Sequence, residues 1–348
     1  MRLGLDIGGT KTDAVAVDAQ GVILERVRLV TGFGAEAVIA TALDGVARIA
    51  EATGISPLEF ESIGVGIPGQ VDVASGSVSH AVNLGFDELD FGQRLTALLG
   101  REVKVENDVK AAALGAYHLM VPRAGAVGGL VPSMAYLNLG TGLAAGLVID
   151  GALWRGSRGA AGEIGHIPVD PNGVLCPCGQ RGCLETVASG SAIARQWVSD
   201  DPIPARSLLA AAAAGDETAT AIRSLLVDNV AAAVRVLVLT VDVELVMIGG
   251  GLSNLGEWLL DEVRRVLTSW AEESSFLASL GLEGRVQLVP AGFPAAAVGA
   301  ALVGAPRPTG RDGAEADGRA GAGTDADDDD DSALGDRRDD ERMAEWLK

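Results

Sequence analysis

LDIGGTKTDAVAVDAQG at residues 5–21 and LNLGTGLAAGLVIDG at residues 137–151 share one pattern: an apolar run, a glycine-threonine turn and a second apolar run. Each reads as two short strands joined by a tight turn. In the first copy, Gly8 and Gly9 let backbone N–H groups face open space without side-chain cover, which makes a cradle for anions. Asp6 beside that turn can hold a hydrated magnesium ion, and Thr10 and Lys11 add a hydroxyl and a positive charge. The G-x-x-x-x-G-K-[ST] spacing is absent, so this is not a Walker A loop. A Gly-Gly turn taken alone is commonly no more than a hairpin. The second copy gives it weight. With Asn138 in the place of Asp6 and a turn at Gly140, Thr141 and Gly142, the duplication predicts two related lobes, each offering a phosphate cradle to the cleft between them.

Downstream of the second copy, residues 163–185 read EIGHIPVDPNGVLCPCGQRGCLE and hold all three cysteines of the chain. Cys176, Cys178 and Cys183, with His166 upstream, supply three thiolates and one imidazole, the ligand set of a closed tetrahedral zinc site. The competing reading is a disulfide with a spare thiol. Three is an odd number, and Asp6 stands where an export signal needs apolar residues, so the expectation is a cytoplasmic chain in a reducing compartment that keeps thiols free. A zinc ion with no open position shapes a loop and does not activate water. It would pin Glu163 and Glu185 near each other, and two acceptors on a rigid loop suit the hydroxyls of a polyol. Either glutamate alone would read as a solvated surface charge.

Apolar periodicity predicts a helix over 35–53, a strand at 62–69, a hairpin leading to Asn83, and a short helix over 91–99. The strand REVKVEND then delivers Asn107 and Asp108 at its carboxyl end, where a helix begins. In open α/β sheets ligands gather outside the carboxyl ends of strands, so this pair is placed for chemistry. Both residue types also cap helices, and capping does not exclude catalysis. Later helices are expected over 184–199, 205–214, 217–240 and 254–273. The strand VELVMI runs into Gly249, Gly250 and Gly251, where a flat ligand such as adenosine could lie on bare backbone. The strand VQLVPAG and a last helix end near residue 305.

The chain has 348 residues, with 47 acidic against 27 basic side chains and a net charge of −20. A surface that acidic repels phosphate backbones, so nucleic acid is not an expected partner. Residues 124–149 carry no charge. Pro132, Asn138 and several glycines interrupt them, so they read as buried strands and no membrane partner is expected. From Pro306 onward the chain is rich in glycine and aspartate and poor in apolar residues, and the expectation for 306–348 is a disordered acidic tail.

DIGGTK at 6–11, END at 106–108, LGTG at 139–142, EIGH at 163–166 and CPCGQRGCLE at 176–185 together resemble the ROK family of sugar kinases and sugar-responsive repressors, its bacterial and archaeal glucokinases above all. The resemblance implies a two-lobed α/β fold, actin-like and hexokinase-like, built of duplicated ribonuclease-H-like domains with a structural zinc loop. The small lobe would hold 1–107 plus about 292–305, and the large lobe 108–291. Asp108 resembles the family's general base. Asn83, Asn107, Asp108, Glu163, His166 and Glu185 resemble its hydroxyl-binding set. Gly8, Gly9, Thr10 and Lys11 with Gly140, Thr141 and Gly142 resemble its phosphate loops, with Asp6 near magnesium and Gly249, Gly250 and Gly251 near adenosine. The implied cofactors are ATP, Mg2+ and structural Zn2+, and the implied assembly is a homodimer or homotetramer. This chain departs from the family pattern at Val109 and Lys110, where small or amide residues are frequent. The expected activity is ATP-dependent phosphorylation of glucose at the 6-hydroxyl. Other hexoses, polyphosphate as donor and a non-catalytic sugar sensor are the alternatives. The family's repressors carry a DNA-binding segment ahead of the kinase-like part, which is not expected in a chain whose phosphate turn starts at residue 6.

Overall fold

The computed structural model describes residues 1–120 and 132–304. The tail expected over 306–348 lies outside the described residues. The first sheet contains β1 (Arg2–Ile7), β2 (Lys11–Val17), β3 (Ile23–Val30), β4 (Ser62–Ile67) and β8 (Val103–Asn107), in the order β3-β2-β1-β4-β8. Between β4 and β8 run three short antiparallel strands, β5 (Gln70–Asp72), β6 (Ser77–Ala81) and β7 (Phe86–Leu89). The second sheet contains β9 (Ser133–Leu139), β10 (Leu143–Ile149), β11 (Ala152–Trp154), β12 (Leu245–Gly249) and β13 (Val286–Leu288), in the order β11-β10-β9-β12-β13.

The two orders are one topology used twice. In each sheet an antiparallel three-strand meander is followed by two strands added in parallel beside its first member. The register repeats too. Asp6 pairs across β1 and β4 with Gly66, and Asn138 pairs across β9 and β12 with Gly249. The substitution of asparagine for aspartate noticed in the sequence therefore falls at structurally equivalent points.

Helices α1 (Ala35–Thr53) and α2 (Phe91–Leu99) pack an apolar face on the first sheet around Leu5, Ile49, Val65 and Phe91. Helices α4 (Gly190–Gln196), α5 (Pro204–Ala213), α6 (Glu217–Val241), α7 (Glu257–Glu273) and α8 (Ser275–Leu280) follow the second meander. The core of that half gathers Leu137, Val230, Val234, Ile248 and Val263. By length and composition α6 is the one helix among the described residues that could cross a bilayer, yet Val227, Val230, Val234 and Leu237 on it are buried in this core.

Two helices meet between the sheets. α3 (Asp108–Met120) packs on β9 and β10, and α9 (Ala295–Val303) packs on β1 and β4. They cross at Gly115 and Gly299, where an added Cβ would come within 2.0 Å of the Ala295 carbonyl oxygen and 1.7 Å of the Ala111 carbonyl oxygen respectively. Backbone touches backbone there, which only glycine permits.

Several expected elements change. The helix expected over 184–199 is a 3-10 turn at Leu184–Thr186 followed by α4, because Ser189 caps a fresh start by accepting from the Ala192 N–H at 3.1 Å. The helix expected over 254–273 begins instead at Glu257, since Gly256 takes φ 67° and breaks the chain after a 3-10 turn at Gly251–Leu255. β11 and α8 were not foreseen. The uncharged run ends in β9 and β10, as its glycines and Pro132 imply, and its residues 124–131 lie outside the described residues.

Candidate functional site

Two cavities open on either side of the start of α3. One, of about 470 Å3, is lined by Asp6, Asp13, Asp108, Tyr136 and the glycines 249–251. The other, of about 460 Å3, is lined by Asn107, Lys110, Arg158, Glu163 and His166. Val109 lines both, so the first turn of α3 is the partition between them.

The question of capping is settled by the hydrogen bonds. Asn107 Oδ1 accepts from the N–H groups of Val109 at 3.0 Å and Lys110 at 3.1 Å, and its Nδ2 donates to the Gly69 carbonyl at 3.2 Å. Asn107 is thus the cap. Asp108 Oδ1 accepts from the Val109 N–H at 2.9 Å and is otherwise spared that work. Burial holds the Asp108 carboxyl above the usual carboxylate range, with the charge of Glu163 adding to it and Val109 N–H and Lys110 opposing.

On the other side of the partition, Asp6 and Asp13 face each other across β1 and β2. Burial, and then the charges of Asp108 and Asp13, push Asp6 up to about 8. Asp13 goes the other way despite its burial, because Arg28 at 2.9 and 3.0 Å and Arg26 at 3.1 Å donate to it. Asp13 is held by its two arginines and no three-carboxylate cluster forms among the described residues, so Asp6, raised by burial, is the carboxylate left to face a divalent cation. Without one, the folded state holds a proton on Asp6 that the unfolded chain would release, so stability is lost as pH rises from about 4 toward 8. Asp6→Asn is accordingly expected to raise the melting temperature of the ligand-free protein, more at pH 8 than at pH 5, while impairing catalysis; melting curves at the two pH values check this.

The cysteine loop brings its four donors to one point. His166 Nδ1, Cys176 Sγ, Cys178 Sγ and Cys183 Sγ all lie within 4.8 Å of one another. The Cys178–Cys183 sulfur separation is 3.6 Å and the His166 Nδ1 to Cys176 Sγ separation 3.7 Å. Ligands about 2.3 Å from a tetrahedral zinc stand about 3.8 Å apart, so the donor set fits the ion. The chemistry agrees. Burial pushes the Cys176 thiol up to about 12 and raises Cys183 as well, while Cys178, helped first by the Gln180 N–H, falls to about 7. A dication is what lets all three become thiolates together.

This cluster supports the carboxylates beside it. Glu185 Oε1 lies 3.4 Å from Cys176 Sγ and 3.9 Å from His166 Nδ1, and its Oε2 accepts from the Leu143 N–H at 3.4 Å. Since Nδ1 faces the sulfurs, the Nε2 atom of His166 is the ring nitrogen left for the cavity.

Of the residues singled out in the sequence, Asn107, Glu163 and His166 line the second cavity, and Asp6, Asp108, Gly249, Gly250 and Gly251 the first. Gly8 donates to the Lys11 carbonyl at 2.9 Å and closes a turn with Gly9, Thr10 and Lys11, and Gly140 donates to the Gly142 carbonyl at 3.0 Å in the matching turn with Thr141. Neither turn is part of the cavity walls. Asn83 lies in an exposed 3-10 turn with its backbone against Gly9, and it lines neither cavity. The sequence reading passed over Asp13, Arg26 and Arg28, and also Lys110 and Arg158. Alternation along β2 and β3 puts Asp13 and Arg28 on one face as directly opposed partners, a signal that strand periodicity could have supplied.

The profile of the ROK family matches residues 2–303. The chain belongs to the ROK family. Within it, the chain is 33% identical to a glucokinase of Streptomyces coelicolor over 78% of this chain and 88% of the relative. It is 31% identical to an N-acetylmannosamine kinase of Yersinia pseudotuberculosis over 71% of this chain and 82% of the relative. Among solved structures, a ROK family glucokinase from Streptomyces griseus in complex with glucose and AMPPNP superimposes with a TM-score of 0.70 at 32% identity, covering 87% of this chain and 98% of that one. The fold is thus the two-lobed actin-like, hexokinase-like one, and the chain is a ROK sugar kinase that acts on a hexose with ATP.

Proposed function

We propose that this ROK kinase is a glucokinase, transferring the terminal phosphoryl group of ATP to the 6-hydroxyl of glucose with Asp108 as general base. The observation that supports this reading is the placement of Asp108 on the wall of the carboxylate- and glycine-lined cavity, between Asn107, which lines the other cavity with Glu163 and His166, and Val109, which lines both. Phosphoryl transfer to an alcohol asks little covalent chemistry of a protein. It needs the hydroxyl aligned with the phosphorus, a carboxylate to take its proton, and water kept out.

The acceptor would sit in the second cavity, its ring hydroxyls donating to the Glu163 carboxylate, while Glu185, which lines neither cavity, stands behind His166. The 6-hydroxyl would donate to Asp108, whose raised proton affinity suits it to remove that proton as the oxygen attacks. The donor would lie in the first cavity with its base over Gly249, Gly250 and Gly251. Asp6 would face a magnesium ion there, and that ion would supply charge neutralisation for the phosphates. The zinc loop takes no part in proton transfer and fixes the positions of Glu185 and His166.

A second reading is phosphorylation of another hexose, favoured by the 31% identity to an N-acetylmannosamine kinase. A coupled assay over glucose, fructose, mannose and the N-acetylated hexosamines, with ATP and polyphosphate as donors, separates the two. Glucose with ATP is expected to give the highest kcat/KM by at least about tenfold, the scale of one or two lost contacts in a sugar pocket. A higher value for any N-acetylated hexose would refute the glucokinase reading.

A further inference from the structure

The segment from Arg155 to Glu163 carries the Gly159 and Glu163 walls of the acceptor cavity, yet it contains no helix or strand. Gly156, Gly159 and Gly162 in it take φ values of 72°, 77° and 93°. A segment so rich in left-handed glycines has little intrinsic stiffness. Two contacts tie it to the junction of β8 and α3. The Arg155 guanidinium meets the Glu106 carboxylate, with Nε at 2.7 Å and a terminal nitrogen at 2.6 Å, and the Glu106 side chain is only 2% exposed. On the other side, Lys110 Nζ donates to the Gly159 carbonyl. Lys110 is 7% exposed and, among the described residues, forms no ion pair.

An ammonium that has given up its hydration for one carbonyl is held at a cost, and a chain keeps such a group where it does something. Glu106 and Lys110 bracket Asn107 and Asp108 in sequence, so the two ties reach the glycine-rich segment from either side of Asp108, and the Ala145 N–H donates to the Gly162 carbonyl at 2.7 Å beside Glu163. Glu163 lies four residues beyond the second anchor.

We propose that the Glu106–Arg155 and Lys110–Gly159 contacts are a pair of positioning ties that hold the 155–163 segment, and with it Glu163, at a set distance from Asp108, so that the acceptor is aligned with the base. Arg155 then acts through Glu163 and not on the reacting atoms, while Lys110 does so too and in addition lowers the proton affinity of Asp108 by its charge. This inference rests on the reading of Asp108 and Glu163 given above, and its test separates the two.

The test uses Lys110→Met and Arg155→Met in the full chain. Each variant is expected to lower kcat/KM for the hexose roughly 10- to 100-fold, the scale of a misplacement near 1 Å. The KM for ATP is expected to stay within about twofold, because the donor cavity is not touched by the segment. Lys110→Arg is expected to recover most of the loss, since a guanidinium can still donate to the Gly159 carbonyl. Amide hydrogen exchange over residues 155–163 is expected to accelerate in both Met variants. That readout does not depend on turnover, so it decides the ties even if the wild-type protein phosphorylates no hexose, a result that would overturn the functional reading alone. Unchanged exchange in both Met variants would overturn the ties. So would losses that fall equally on the hexose and ATP constants and track a lowered melting temperature, since those describe general destabilisation.

Discussion

Asp108→Asn is expected to lower kcat by about 10^2- to 10^4-fold, the usual worth of a positioned general base, with the KM for glucose changed by no more than a few-fold. The substitution isolates proton acceptance because the local structure does not need the carboxylate. Asn107 supplies the two cap bonds of α3, and an amide oxygen at position 108 can still accept from the Val109 N–H. Volume and shape are conserved, so the partition between the cavities stays where it is. What changes is that an amide cannot take the proton of the attacking hydroxyl. The pH profile carries a second signature. Burial and Glu163 raise the proton affinity of Asp108, so in the wild type kcat should fall on the acid side at a pH above the ordinary carboxylate range. That limb should be missing from the residual activity of the variant. Turnover near that of the wild type, measured by a coupled assay at saturating glucose and ATP, would remove Asp108 from the role.

Removal of Cys178 from the four-donor cluster is the second large expected effect. Cys178 is exposed while Cys176 and Cys183 are buried, so Cys178→Ala leaves no cavity and reads the metal rather than packing. Purified wild-type protein is expected to carry one zinc ion per chain by metal analysis, and the variant little or none. Because an ion held by the four donors would be the centre to which residues 166–183 converge, its binding energy would in part be folding energy. Loss of several kcal/mol from the loop should lower the melting temperature by roughly 5–10 °C. The KM for glucose should rise about tenfold, since Glu185 and His166 lose the group that fixes them. Treatment of the wild type with a strong chelator should reproduce both changes. A wild-type protein free of metal, or a variant with unchanged melting temperature and KM, would show that the thiols stand together for another reason.

Much of the fold could be read from short-range pattern. The strands on either side of Gly8 and Gly9, the helix Ala35–Thr53 and the strand that ends at Asn107 follow from periodicity and turn residues, which are local properties of the chain. The convergence of the cysteine loop was legible for the same reason, since its four donors lie within eighteen residues of sequence. Boundaries failed where a cap or a left-handed glycine intervened, as at Ser189 and Gly256, because a single side-chain bond or backbone angle outweighs the average tendency of the neighbouring residues. The candidate site was legible in its glycines and acids and silent on its cations. Arg26, Arg28, Lys110 and Arg158 look like ordinary surface charges until the sheets and the 155–163 segment bring them to the cavity walls.

By itself the sequence determined the duplicated strand-turn-strand unit, the loop that gathers three cysteines and a histidine, and the types of group available for chemistry, because each is encoded by residues a few positions apart. Only the tertiary structure decided which of those groups meet. Asp6 and Asp108 are more than a hundred residues apart and share a cavity because β1 and α3 converge beside Gly66, which has no side chain to separate them. Asn83 remained outside both cavities, although its neighbours in sequence gave no sign of this. Contacts between distant segments depend on how whole sheets and helices pack, and packing is set by the sum of many buried surfaces that no local stretch of sequence contains.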